Sequence, residues 1–106
     1  MPESKAHKRL KRREAGRSGR TEVPLRGGKS RLDVAMKRRA KEIERSGSLE
    51  RLKEAAKRLK MSGKPQKVLI VPQKDMSKAA RAMRDVGVNG TVKNLRGTKR
   101  RWVKGK

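Results

Sequence analysis

The pattern of apolar and polar residues divides the chain into three segments. Residues 1–29 carry scattered aliphatic side chains among charged residues and glycines, which is typical of a solvated basic arm that is disordered until it binds. Residues 5–15 contain no helix breaker and can form a helix on a polyanion, but repulsion between their like charges predicts coil in the free protein. The residue before Pro24 avoids helical backbone, so Val23 to Leu25 is expected to be extended.

The second segment, residues 30–63, has the spacing of a helical hairpin. A first helix is expected after Ser30, a favourable N-cap, and it ends at Gly47. Ser48 caps a second helix directly, and Gly63 closes it. The apolar stripes are Leu32, Met36, Ala40 and Ile43 in the first helix, and Leu49, Leu52, Ala56 and Leu59 in the second.

The third segment, residues 64–106, predicts a small β-α-β-β unit. The aliphatic run at 67–71 indicates a buried strand, and a helix is expected over 75–86. Period-two alternation predicts a strand at 91–95, and a glycine-containing loop leads to a return strand at 99–103. The expected fold class is therefore α+β, with residues 30–106 forming one compact domain behind the arm.

The charge of the chain indicates its class of partner. Lys and Arg number 34 against 10 Asp and Glu, a net charge of +24 in 106 residues. Such a charge attracts phosphate chains, and neutralising phosphates releases counterions and gives affinity without sequence preference. The longest aliphatic run, at 68–71, is too short to span a bilayer, and the N-terminus lacks the apolar region of a secretory signal. We expect a nucleic-acid partner, no membrane and a cytoplasmic location.

The residue inventory argues against catalysis. The chain has no Cys and one His, His7, which lies in the arm without a second ligand nearby in the sequence. Thiolate metal sites, disulfides and His-pair chemistry are therefore excluded. The acidic residues are scattered among the basic ones and form no acid–base pair. We expect a protein that is not an enzyme, with no metal, no cofactor and no small-molecule substrate.

Residues 27–30, Gly-Gly-Lys-Ser, superficially resemble a phosphate-binding loop. The full pattern requires a glycine five positions before Gly28, and Val23 stands there, so nucleotide hydrolysis is disfavoured. Two interpretations stay open: Lys29 and Arg31 contact a backbone phosphate at the start of a helix, or the segment is a plain linker.

The C-terminal hairpin carries the densest cluster of basic residues on a regular element. Contact with nucleic acid is favoured over a solvated edge strand protected by its charges. Strand alternation places Trp102 on the same face as Arg100, and Val103 on the other face with Arg101. This pattern leaves open whether Trp102 covers the core or stacks on a base.

The candidate nucleic-acid-binding residues are the basic side chains of the arm and of the hairpin, together with the tryptophan. They are Lys8, Arg9, Lys11, Arg12, Arg13, Arg17, Arg20, Arg26, Lys29 and Arg31 in and just after the arm, and Lys93, Arg96, Lys99, Arg100, Arg101 and Trp102 in the hairpin. We expect them to recognise backbone and shape, since residues suited to reading bases are few.

The glycine-punctuated basic arm from Lys5 to Arg26, followed by a small α+β body with a basic hairpin and tail from Lys93 to Lys106, resembles small ribosomal proteins of archaeal type. This resemblance implies an arm that threads between rRNA helices and a body on the particle surface. The implied partners are rRNA and neighbouring ribosomal proteins, and the implied location is the ribosome.

Two alternatives differ in the class of partner. A chromatin or nucleoid protein would coat or bend duplex DNA, with Trp102 or Val103 as an apolar wedge. A regulatory or assembly factor would bind a protein through the helical hairpin. A long arm broken by glycines suits irregular RNA crevices better than a regular groove, which ranks RNA above DNA.

Overall fold

The computed structural model describes residues 5–15, 20–24, 31–35 and 38–105, and in these ranges the chain is a small α+β protein. The elements are α1 (Lys5–Ala15), β1 (Arg20–Pro24), β2 (Arg31–Ala35), β3 (Arg39–Ile43), α2 (Leu49–Met61), β4 (Gln66–Val71), α3 (Met76–Val86), β5 (Gly90–Asn94) and β6 (Arg100–Val103). A single turn of 3-10 helix, Gln73–Asp75, precedes α3.

The strands form one mixed sheet in which they lie side by side in chain order. β1, β2 and β3 are antiparallel neighbours, whereas β3, β4 and β5 run parallel. The parallel strands are joined by α2 and α3, the kind of crossover that parallel pairing requires. β6 returns antiparallel to β5 and forms one edge of the sheet.

The hydrophobic core lies between one face of the sheet and the helices α2 and α3. Leu52 and Leu59 of α2 and Met83 of α3 are fully buried against Leu69 and Val92 of the sheet. The second predicted helix and the β-α-β-β unit are confirmed. Their expected boundary signals are also present, since the Ser48 hydroxyl accepts a hydrogen bond from the Arg51 N–H at 3.3 Å and Gly87 ends α3 with a φ of 84°.

The prediction of a first helix in the hairpin is wrong, because residues 31–35 and 39–43 are strands. β3 lies inside the sheet and pairs with β2 on one side and β4 on the other. This pairing buries Ala40 against the helices and Ile43 on the opposite face. The helical spacing of the apolar residues was therefore outweighed by tertiary pairing, which routinely overrides local preference.

The expectation that residues 5–15 are coil in the free protein is also wrong, because they form α1. The helix contacts β1, β2 and β3, and it places Lys11 and Glu14 in buried positions. Contacts with the body thus compensate the repulsion among its basic residues. Residues 20–24 are extended, as expected around Pro24, and pair with β2. Residues 27–30 lie outside the described part of the chain.

Candidate nucleic-acid interface

The face of the sheet turned away from α2 and α3 carries several of the candidate side chains, and we call it the open face. Alternation along the strands sends Arg39, Lys41 and Ile43 of β3, Gln66, Val68 and Ile70 of β4, Thr91 and Lys93 of β5, and Arg100 and Trp102 of β6 to this face. α1 lies over one part of it and buries Ile43 and Ile70. The remainder is uncovered.

The register between the strands arranges these side chains in rows across the open face. Lys41, Val68, Thr91 and Trp102 are neighbours in one row, because each pairs with the next across β3 to β6. Cross-strand neighbours lie roughly 5 Å apart, so their side chains are in contact range. This row therefore combines a buried cation beside α1, a half-buried neutral floor and an exposed aromatic ring.

Glu14 of α1 joins the helix to the open face through two lysines. Its Oε1 accepts hydrogen bonds from the Nζ of Lys41 at 2.9 Å and from the Nζ of Lys93 at 2.8 Å. The backbone carbonyl of Glu14 accepts a further bond from the Nζ of Lys41 at 2.9 Å. All three side chains are largely buried. One carboxylate thus holds two ammonium groups, and the three together keep one positive charge.

Two opposing effects act on the pKa of Glu14. Burial alone raises the pKa of this carboxyl, but the hydrogen bonds and charges of Lys41 and Lys93 outweigh it and hold the pKa below its usual value of 4.5. Glu14 is therefore ionised at neutral pH, and its charge stabilises the packing of α1 on the sheet.

Beside α1, the open face forms a cavity of about 440 Å³. Its described lining contains five basic residues, one tryptophan and no acidic residue: Arg39, Lys41, Lys67, Lys93, Arg100 and Trp102. Val68 and Thr91 supply the half-buried floor. The Nε of Arg39 donates a hydrogen bond to Oε1 of Gln66 at 2.9 Å, which orients this guanidinium beside the cavity.

Trp102 lies at the rim of this open-face cavity with its side chain in solvent. Trp102 is 69% exposed, whereas Val103 on the opposite face of β6 is buried in the core. The alternative in which Trp102 covers the core is therefore wrong, and the predicted alternation of the strand is confirmed.

The turn of the C-terminal hairpin is held by Asn94, a residue that the sequence analysis did not single out. Its Oδ1 accepts the N–H of Lys99 at 3.0 Å, and its Nδ2 donates to the hydroxyl of Thr98 at 2.9 Å. Gly97 supplies the left-handed residue of the turn, with a φ of 76°. The buried Asn94 side chain thus fixes the alignment of β6 against β5.

The basic residues of this hairpin are divided among three positions. Lys93 and Arg100 pair across the strands and share the open face with Trp102. Arg101 points to the opposite face, and Arg96 and Lys99 lie at the exposed turn. The structure therefore brings only part of the predicted hairpin cluster to the open-face cavity.

A second group of cations, which we call the arginine cluster, surrounds a cavity of about 420 Å³ at the other end of the parallel strands. Its members are Arg9 and Arg13 of α1, Arg45 after β3 and Arg96 after β5. The guanidinium of Arg13 donates a hydrogen bond to the carbonyl of Leu95, which ties α1 to the hairpin turn. The described lining of this cavity contains no acidic residue.

The structure places the predicted phosphate-binding residues of the arm in different environments. Lys8, Arg9, Arg12 and Arg13 are exposed on α1. The prediction that Lys11 contacts a phosphate is wrong, because this residue is only 2% exposed. It lies on the side of the helix that packs against the body, as Glu14 does. Arg20 and Arg31 belong to paired strands, and their side chains lie outside the described part, as do Arg17, Arg26 and Lys29.

Four residues of the candidate site were missed by the sequence analysis: Glu14, Arg39, Lys41 and Arg45. Arg39 and Lys41 were assigned to a helix, where they would point in different directions. The signal that identifies them is the period-two order Arg39, Lys41, Ile43, which places all three on one face of a strand. No local pattern marks Glu14, because its partners are distant in sequence.

Comparison of the chain with protein-family models, with curated proteins and with solved structures gave no match. Within the described residues, no three His, Cys, Asp or Glu side chains are grouped closely enough to hold a metal ion. Nor does any described helix have the length and apolar character needed to cross a membrane.

Proposed function

We propose that this protein is a non-enzymatic RNA-binding protein that docks on folded RNA through the open face and the arginine cluster. The observation that carries the proposal is the open-face cavity, where four Lys or Arg residues of the open face (Arg39, Lys41, Lys93 and Arg100) and Trp102 form the lining, and the described lining contains no acidic residue. Such a surface attracts phosphates, and the carboxylate of Glu14 beside it is buried and paired with Lys41 and Lys93. Following the resemblance stated above, we propose a structural or accessory component of the ribosome.

The distribution of acidic residues supports this proposal. Glu42 is buried on the helix side of the sheet and forms an ion pair with Arg58, and Asp85 of α3 lies 3.7 Å from Lys53. Glu50 and Glu54 are exposed on α2, which also packs on the helix side. Acidic groups thus offset part of the charge of the helix side, while the open face keeps Arg39 and Arg100 exposed for phosphate contacts.

The placement of the two cationic surfaces favours RNA over duplex DNA. The open-face cavity lies where β3, β4 and β5 begin, and the arginine cluster lies beyond their ends. A strand of this length spans roughly 17–20 Å, so the two surfaces suit phosphates of different backbone segments in a compact RNA. The helical hairpin that would have recognised a protein partner is not formed, because β2 and β3 replace its first helix.

Sedimentation of native cell lysate tests the proposal. We expect the protein to migrate with one ribosomal particle on a sucrose gradient, and to move to the top of the gradient after RNase treatment. DNase treatment is the control and should leave its position unchanged. Migration with DNA that resists RNase and is lost with DNase would contradict the proposal in favour of a nucleoid protein.

A further inference from the structure

The exposed tryptophan is the least expected feature of the open face. Val103 already fills the core position of β6, so the Trp102 side chain contributes little to the core while leaving 69% of its surface in water. Trp is among the residues most often found highly buried. An indole held in solvent on a paired strand, beside a cavity, is therefore a strong indication of a ligand with an apolar face.

The surroundings of Trp102 restrict the size of that ligand. Trp102, Thr91, Val68 and Lys41 are successive neighbours across four strands. Three strand spacings of about 4.8 Å separate the indole from the lysine, a span of roughly 14 Å over a floor formed by the other two residues. The volume of about 440 Å³ is within the range of sites that hold a small planar ligand.

The charges around the cavity restrict the chemistry of the ligand. Arg100 stands two residues before Trp102 on the same face, and Arg39 lies on the opposite side of the floor. Together with the absence of acidic residues from the described lining, this arrangement fits a molecule with one flat apolar part and an anionic part. A nucleotide has both, since its base stacks on aromatic rings and its phosphate binds Arg.

We propose that the open-face cavity binds an unpaired nucleotide of single-stranded RNA, with its base stacked on Trp102 and its flanking phosphates on Arg39 and Arg100. The proposal rests on the RNA-binding function proposed above and specifies the part of the RNA that is bound. In a duplex the bases are already stacked on one another, so their flat faces are not accessible to the indole. An unpaired loop, bulge or strand end presents a base that can stack on the indole.

The intrinsic fluorescence of the protein provides a direct test, because the chain has one Trp and no Tyr. The full chain is titrated with single-stranded oligouridylate of about 12 nucleotides, a length within the usual site sizes, and with duplex RNA and duplex DNA of the same length. We expect saturable quenching of Trp102 emission by the single strand and little change with the duplex. Equal quenching by duplex DNA would overturn the proposal in favour of an intercalating wedge.

Two substitutions at position 102 separate stacking from charge. With labelled RNA and anisotropy as the readout, Trp102→Leu is expected to weaken binding of the single strand by about 5- to 150-fold, the range that base–aromatic stacking spans. Trp102→Phe should restore part of this loss, and neither variant should change the affinity for duplex RNA. Met61→Leu, at an exposed apolar residue of α2, is the matched control and should bind as the wild type does.

The outcomes distinguish this proposal from the function on which it rests. If the single strand binds without quenching and Trp102→Leu binds it as tightly as the wild type, the stacking proposal is overturned while RNA binding stands. If neither single-stranded nor duplex RNA binds, the proposed function itself fails.

Discussion

Replacing Arg39 and Arg100 together by Gln is expected to weaken RNA binding by about 30- to 150-fold, because each exposed charge-assisted contact contributes roughly 1–1.5 kcal/mol. The two guanidinium groups are the exposed cations that flank the open-face cavity, whereas Lys41 and Lys93 are held by Glu14. The slope of log affinity against log salt should fall by about 1.4, since each phosphate contact contributes about 0.7 on single strands. Fluorescence anisotropy with labelled RNA at several salt concentrations measures both effects.

The matched control removes the same charge from the helix side. Lys57 of α2 and Arg84 of α3 are exposed, and both belong to helices that pack on the face opposite to the open face. The double variant Lys57→Gln, Arg84→Gln should bind RNA within about 3-fold of the wild type, the effect of a small general change in charge. Equal losses in the two double variants would show that net charge binds the RNA without a localised surface.

The second large effect is expected from Glu14→Gln, a change that keeps the shape of the side chain and removes its charge. Lys41 and Lys93 would then remain largely buried without an anion. Removing one partner of a buried ion pair costs about 3–5 kcal/mol, and we expect about 2–4 kcal/mol here because the lysines retain some contact with water. Thermal unfolding followed by circular dichroism should show a fall in Tm of at least about 8 °C.

The pH dependence of this effect follows from the lowered pKa of Glu14. The carboxylate stabilises the folded state above its usual pKa of 4.5, and that contribution is lost as the pH falls through the lower pKa of the folded state. The difference in Tm between the wild type and Glu14→Gln should therefore be largest near neutral pH and shrink in acid. A difference that stays constant from neutral pH into strong acid would contradict the assignment of Glu14 to the ion pairs.

Glu54→Gln serves as the control for Glu14→Gln. Glu54 is exposed on α2, so the same loss of negative charge should change stability by less than about 0.5 kcal/mol. A fall in Tm as large as that of Glu14→Gln would mean that the net charge of the chain, rather than the buried carboxylate, determines stability.

The C-terminal half of the fold was predictable because its local signals agree with its tertiary contacts. The aliphatic run of β4, the apolar stripe of α3 and the alternation in β5 and β6 each correspond to one element, with Gly87 and Gly97 at the ends where the chain turns. The structure of such segments can be predicted from the sequence because their local preference agrees with the tertiary structure.

Residues 31–43 misled the sequence analysis because their apolar residues satisfy two periods. Ala40 and Ile43 continue a helical stripe, yet in β3 they lie on opposite faces and both are buried. Only a strand buried on both faces explains this pattern. The helix α2 covers one face of β3, and α1, whose own sequence predicts coil, covers part of the other. The wrong prediction for residues 31–43 was therefore linked to the wrong prediction for residues 5–15. Together they prevented the prediction of the open face and of its residues Arg39 and Lys41.

The proposed nucleic-acid site was predictable in class but not in geometry. The net charge of +24 and the basic hairpin indicated a phosphate-binding surface, and alternation placed Arg100 beside Trp102. The sequence could not show that Glu14 neutralises part of this surface or that a cavity forms beside the indole. Both features depend on residues from α1, β3 and β5, which are separated by up to 79 positions.

Ultraviolet crosslinking in intact cells, followed by purification under denaturing conditions and mass mapping of the crosslinked peptides, tests the central claim most directly. The account predicts RNA as the crosslinked nucleic acid, with peptides that contain Trp102 in β6 or the neighbouring part of β5. Crosslinks to DNA, or RNA crosslinks confined to α2 and α3, would contradict binding of RNA through the open face.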